Sequence, residues 1–244
     1  SAEEHIAVVT ACRDEVKGRV KVVAGAGSND TKKAIETHKR VTDLGVDGAL
    51  HVTPWYNKPT QEGLYRHFRA IAEQVDLPIY LYNVPGRTVA DLATETTLRL
   101  AQVPGIVGIK DATADLGRGS ELLKGLAAAG KRDFSVLSGE DITALPLMFM
   151  GGHGVISVTA NVAPALMAQM CRAALAGDHA AARAINDRLI PLHRRLFIEA
   201  NPAPVKWALA EMGRIANEVR LPLVPLSHSC HEPVRAALRE AGCL

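Results

Sequence analysis

The chain has 244 residues, which fits one large domain or two small ones. Hydrophobic residues make up 48%, charged residues 22%, and the formal net charge is +2. This is the composition of a soluble globular protein, and its charge lacks the basic excess of a dedicated nucleic-acid binder. No apolar run is long enough to span a bilayer, and the polar, acidic opening Ser1-Ala-Glu-Glu-His5 does not read as a secretory signal. Cys12, Cys171, Cys230 and Cys243 are scattered without a Cys-x-x-Cys pair, so free thiols in a reducing cytoplasm are expected.

The chain opens inside a helix. Ser1 and Glu4 have capping-box spacing, and Ile6, Val9, Cys12 and Val16 follow at helical intervals. Val20 to Ala24 reads as a strand, followed by Gly-Ala-Gly-Ser-Asn-Asp. Thr31 to Leu44 reads as a helix with Ile35, His38, Val41 and Leu44 on one side. Gly48 to Thr53 is the next strand, ending in Pro-Trp-Tyr-Asn-Lys-Pro, and Gln61 to Val75 is a helix with Leu64, Phe68, Ile71 and Val75 inward. Ile79 to Tyr82 is a strand running into Asn-Val-Pro-Gly-Arg, and Thr94 to Gln102 is a short helix. Gly105 to Thr113 holds an apolar strand that ends in Lys110, and a helix around Leu122 to Leu126 comes next. Phe134 to Leu137 leads into Ser-Gly-Glu-Asp, Ile142 to Met150 is helical, and Val155 to Val158 is the last strand.

About six strand–helix units therefore recur at roughly 25–30 residue spacing, the pattern of a parallel sheet. A doubly wound open sheet and a (β/α)8 barrel compete for it. Gly25-Ala26-Gly27 supplies two glycines of a dinucleotide fingerprint, but Asp30 stands where the third should be, so the glycines read as a tight strand-to-helix turn.

Polar residues gather at one place in each unit. Asn29, Tyr56, Tyr82, Arg87, Lys110 and Gly139 all lie at or just after the end of a strand. In a barrel those ends share one face, and that face carries the site. A lysine at such a strand end has its stem in apolar surroundings and its amine at the rim. Partial desolvation lowers an amine's pKa and frees the lone pair that attacks carbonyls. The plain alternative for Lys110 is a lysine that snorkels without chemistry.

Tyr82-Asn-Val-Pro-Gly-Arg-Thr, Ile-Val-Gly-Ile-Lys110-Asp-Ala-Thr and Gly154-Val-Ile-Ser-Val-Thr-Ala-Asn together resemble the dihydrodipicolinate synthase family. Thr53-Pro-Trp-Tyr-Asn-Lys-Pro and Asn201-Pro-Ala-Pro-Val-Lys-Trp extend the similarity over nearly the whole chain. The resemblance implies a class I aldolase with a (β/α)8 barrel over residues 1–161 and a C-terminal helical extension over residues 162–244. It implies condensation of pyruvate with aspartate semialdehyde through an imine on Lys110, with no metal or organic cofactor. By the same resemblance Tyr82 carries protons, and Tyr56 completes the relay of a neighbouring subunit in a homotetramer. Arg87 holds the carboxylate of the aldehyde substrate, and Gly139 and Ile156 lie near the pyruvate pocket. The Gly-Arg-Thr context favours the synthases over the N-acetylneuraminate lyases, which remain the alternative within the superfamily.

The family's barrel begins with two strand–helix units that this chain lacks, together with a threonine pair of the relay. The expectation is a fragment of a complete enzyme, poorly soluble or inactive if made alone, with a truncated non-catalytic homologue as the competing reading. Family members are often inhibited by lysine at a cleft between subunits. His5, Asn29 and Trp55 align as remnants of that cleft, but Lys33 stands where sensitive bacterial relatives have a glutamate, which implies weak feedback. His228-Ser-Cys230-His231 has three possible metal ligands but no second pair, so it reads as a surface loop. His153 reads as structural.

Overall fold

The computed structural model describes residues 1–244. The chain divides into two compact units, Ser1–Gly139 and Glu140–Leu244.

In the first unit, five parallel strands pair in chain order: β1 (Val23–Gly25), β2 (Gly48–Val52), β3 (Ile79–Asn83), β4 (Ile106–Asp111) and β5 (Ser135–Ser138). The helices between them are α2 (Thr31–Asp43), α3 (Gln61–Ala72), α4 (Pro85–Thr88), α5 (Thr94–Leu100) and α6 (Leu116–Ala128), with α1 (Ala2–Val16) in front. Local chemistry marks their starts. Ser1 and Glu4 form the expected capping box, and Asp30, Thr60 and Asp115 accept from the third backbone N–H of α2, α3 and α6.

Side chains alternate across the sheet as the pleat requires. Ala49, His51, Ile79, Leu81, Ile109 and Val136 are buried, while their neighbours Leu50, Val52, Tyr80, Tyr82, Lys110 and Leu137 are half-buried. From α3, Leu64, Phe68 and Ile71 are fully buried. Each contributes about 1.5–3 kcal/mol by leaving water. The register aligns Val52, Tyr82, Lys110 and Leu137 in one row across four strands. One step earlier, the ring of Tyr80 lies where a side chain on Gly108 would be: a Cβ there would come within 2.8 Å of the ring and 2.7 Å of the Ser135 carbonyl.

Two strands are shorter than expected, both because a carboxylate takes backbone N–H groups. The first begins at Val23, since Asp47 accepts from Val22 N at 2.9 Å and pairs with Lys21 at 2.7 Å. In the second unit, β6 is only Gly154–Val155. There Asp141 Oδ2 accepts from Val158 N (3.1 Å) and Thr159 N (2.9 Å), and Thr159–Asn161 turns into a 3-10 helix. The second unit is otherwise helical: α7 (Asp141–Phe149), α8 (Pro164–Leu175), α9 (His179–Arg195), α10 (Ala203–Glu211) and α11 (His231–Ala241). Its core gathers Met167, Met170, Leu189, Leu192, Val234 and Leu238. Within it, His231 stacks on Trp207 with 4.6 Å between ring centroids, and Cys230 donates to Glu199. No helix is long and apolar enough to cross a membrane.

Candidate active site

Lys110 is the next-to-last residue of β4, and its register partner on β3 is Tyr82. Both side chains leave the same half-exposed face of the sheet. The Lys110 Nζ lies 4.0 Å from the centroid of the Tyr82 ring. The stem of Lys110 has room because of Gly139. A Cβ on that glycine would come within 3.0 Å of Lys110 Cε and 2.8 Å of the Ala112 methyl. The Gly139 N–H donates to the Asp111 carbonyl at 2.6 Å, so its part in the site is the missing side chain and not a free amide.

The Tyr82 phenol departs from what its expected role requires. A tyrosine that accepts protons at neutral pH needs a lowered pKa. Burial instead raises the pKa of Tyr82, and the positive charge of Arg87 offsets this only in part. The resting phenol therefore carries its proton, which suits a donor better than an acceptor. Replacing Tyr82 with Phe keeps the ring and removes the proton. We expect turnover to fall about 10²–10³-fold, as for loss of a general acid, with an unchanged far-UV circular dichroism spectrum. Turnover within twofold of the parent would exclude this role.

Arg87 sits on α4, a single helical turn started by Pro85. It is exposed and shares the wall of a cavity of about 520 Å³ with Leu50, Val52, Trp55, Tyr82 and Thr88. The cavity brings a phenol and a guanidinium round one space, with the lysine beside the phenol. Thr53 and Thr88, both buried, tie this turn to the end of β2: Thr53 Oγ1 donates to Thr88 Oγ1 (3.2 Å), which donates to the Ala90 carbonyl (2.9 Å).

Other expected residues stand apart from this group. Tyr56 is 88% exposed with a φ of 73°, and within the chain it does not join the cluster at Lys110. Asn29 and Asn57 brace that loop, Asn29 Nδ2 donating to the Trp55 carbonyl (3.2 Å) and Asn57 Nδ2 to the Asn29 carbonyl (2.9 Å). Ile156 belongs to the second unit, one residue past β6, and is half-buried. Sequence reasoning missed Asn83, Asp91 and Arg118, which surround the Arg87 turn. The one available signal was an asparagine directly after Tyr82.

The arrangement defines an α/β protein with its polar site at the carboxyl ends of parallel strands, where a lysine amine and a tyrosine stand side by side with an arginine at the rim. Comparison with known proteins identifies the family. A model of the Dihydrodipicolinate synthetase family matches residues 1–241, and the chain belongs to this family. A 4-hydroxy-tetrahydrodipicolinate synthase of Nitrosospira multiformis is 58% identical over 240 residues, covering 98% of this chain and 79% of the relative. Another from Polynucleobacter asymbioticus is 56% identical over 244 residues, covering 100% and 80%. Among solved structures, the chloride-inhibited dihydrodipicolinate synthase of Acinetobacter baumannii complexed with pyruvate is 52% identical with a TM-score of 0.96, covering 100% of this chain and 82% of that one. A structure described as the first monomeric dihydrodipicolinate synthase variant is 43% identical, also with a TM-score of 0.96, covering 99% and 81%.

Proposed function

We propose that this protein is a lyase that condenses pyruvate with L-aspartate 4-semialdehyde to 4-hydroxy-tetrahydrodipicolinate, in lysine and diaminopimelate biosynthesis. The observation that carries the reading is Lys110 at the end of β4, its Nζ 4.0 Å from the Tyr82 ring centroid, in a chain whose relatives bear that enzyme's name at 56–58% identity.

The Lys110 amine attacks the ketone carbon of pyruvate. A C–N bond forms and the carbonyl oxygen leaves as water, protonated by the Tyr82 phenol. The imine draws electrons, so a methyl C–H bond breaks and its proton returns to the phenolate. The resulting enamine carbon attacks the aldehyde carbon, and the aldehyde oxygen takes its proton from the re-formed Tyr82 phenol. The amine of the bound semialdehyde then attacks the imine carbon, closes the ring and releases Lys110. Arg87 offers a planar fork to the semialdehyde carboxylate at the cavity rim. Gly139 makes space for the Lys110 stem. Tyr56, exposed on its loop, extends the proton relay of a neighbouring subunit.

The same reading makes the parallel sheet an arc of a (β/α)8 barrel spanning residues 1–161, with residues 162–244 as its helical extension. It makes the assembly a homotetramer and its compartment the cytoplasm. Substrate choice tests it. Condensation with aspartate semialdehyde should outpace cleavage of N-acetylneuraminate by orders of magnitude. Faster sugar cleavage would move the protein to the lyases.

Regulation follows from Lys33, exposed on the first turn of α2. An ammonium where a carboxylate would receive the lysine ligand repels it, and loss of such a pair moves affinity by about two orders of magnitude. Steady-state rates in millimolar lysine should therefore stay near those without it. Strong inhibition would remove this assignment.

A further inference from the structure

The segment that carries Arg87 is closed on itself by one buried side chain. Asn83, the last residue of β3, is fully buried. Its Oδ1 accepts from Leu92 N at 3.0 Å, and its Nδ2 donates to Asp91 Oδ1 at 2.9 Å. One amide thus joins the two ends of the excursion from Val84 to Asp91. The other carboxylate oxygen of Asp91 accepts from Arg118 Nη1 at 2.8 Å, and Arg118 Nη2 donates to the Leu92 carbonyl. Arg118 is no ordinary surface arginine. Its side chain is only 18% exposed, and its backbone N–H bonds the Asp115 cap that starts α6.

This arrangement connects two strands. Residues 84–92 follow β3 and carry Arg87, whereas α6 follows β4 and its lysine. The two strand ends also meet directly, since Ala112 N donates to the Asn83 carbonyl at 2.9 Å. Arg118 therefore holds the Arg87 excursion against the element that follows Lys110.

We propose that Asn83, Asp91 and Arg118 form a latch that sets the position of the Arg87 guanidinium, so that Asp91 and Arg118 are positioning residues for the second substrate. The inference rests on the function proposed above for Arg87. Neither residue lines the cavity, so the latch acts through backbone geometry. A planar fork shared between a carboxylate and a carbonyl suits this task, because it fixes direction as well as distance. A displacement of about 1 Å at a substrate-holding group is enough to lower catalytic efficiency severely.

The test uses Arg118→Met, Arg118→Lys and Asp91→Asn in the active protein. With Arg118→Met, the KM for aspartate semialdehyde should rise about tenfold or more, while pyruvate is still trapped on Lys110 by borohydride. Arg118→Lys, which keeps the charge and loses the fork, should recover part of the effect, and Asp91→Asn should shift the same constant. A KM within twofold of the parent in Arg118→Met would overturn the proposal. So would a parallel loss of semialdehyde affinity, pyruvate trapping and melting temperature, which would mark a merely structural pair. Amide exchange reads the latch without any assay: Leu92 N–H should exchange about tenfold faster in Arg118→Met, and unchanged protection would also overturn it. If the parent protein fails to trap pyruvate, the proposed function falls, and the exchange result still decides the latch.

Discussion

Incubation with pyruvate and borohydride should leave one stable mass adduct, and peptide mapping should place it on Lys110. Lys110→Ala should lower turnover on the order of 10⁴-fold or more, because covalent catalysis by this route has no substitute nucleophile. The geometry singles out this lysine. Lys110 is the next-to-last residue of a parallel strand, its stem fills the space left by Gly139, and its amine lies beside Tyr82, whose phenol burial pushes to a higher pKa. The other lysines of the first unit are exposed or half-exposed without a tyrosine ring at this distance; Lys21, for example, is bound to Asp47 at 2.7 Å. Labelling of a different lysine, or of none, would remove the imine from the mechanism. Lys110→Arg is a useful second variant. It keeps length and charge but supplies no attacking amine, so it should be as inactive as the alanine variant while unfolding close to the parent.

Acid should unfold the first unit well before carboxylates dominate. His38, His51 and His67 are buried on α2, β2 and α3. His38 Nδ1 and His51 Nε2 share a hydrogen bond at 2.8 Å, and His67 Nδ1 bonds Thr31 Oγ1 at 2.9 Å. Burial lowers all three pKa values. His51 falls to about 3, with the charges of His38 and His67 adding to the burial effect, and His67 falls to about 4 against a small opposing effect of Asp30. In the unfolded chain each histidine titrates near 6.5. Between pH 6.5 and the folded values the unfolded state binds more protons, so stability is complete above about 6.5 and is lost as pH falls through that window. Each such group contributes about 1.4 kcal/mol per pH unit, so going from pH 6.5 to 4.5 removes on the order of 5 kcal/mol from His51 and His67 together. That is comparable with the whole stability of many domains. Urea unfolding midpoints measured between pH 7 and 4.5 should drop steeply in the parent. His51→Asn should flatten that slope by about 1.4 kcal/mol per pH unit whatever it does to stability at pH 7. Parallel slopes in parent and variant would show that these histidines do not govern the acid response.

The class of fold was legible because burial is written in periodicity. Ile-Val-Gly-Ile before Lys110 and the Leu64, Phe68, Ile71 stripe announce a buried strand and a helix face without reference to distant residues. The first helix start was legible for a similar reason: Ser1 and Glu4 act within three residues of each other, whereas the helix read around Leu122 to Leu126 begins earlier, at Leu116, behind a cap at Asp115 that went unread. Lys110, Tyr82 and Arg87 were named from motifs, and Tyr82 with Lys110 meet because their strands pair in register.

What the chain alone did not reveal depends on partners far away in sequence. The early end of the last strand follows from Asp141, which takes the N–H groups of Val158 and Thr159. The raised pKa of Tyr82 follows from its burial in the folded chain. The Asn83–Asp91–Arg118 latch joins residues from two successive connections, 27 positions apart between Asp91 and Arg118. Local patterns determine which elements form, since propensity, capping and alternation act over a few residues. The protonation state and aim of site groups are decided by desolvation and by hydrogen bonds whose partners only tertiary packing brings together.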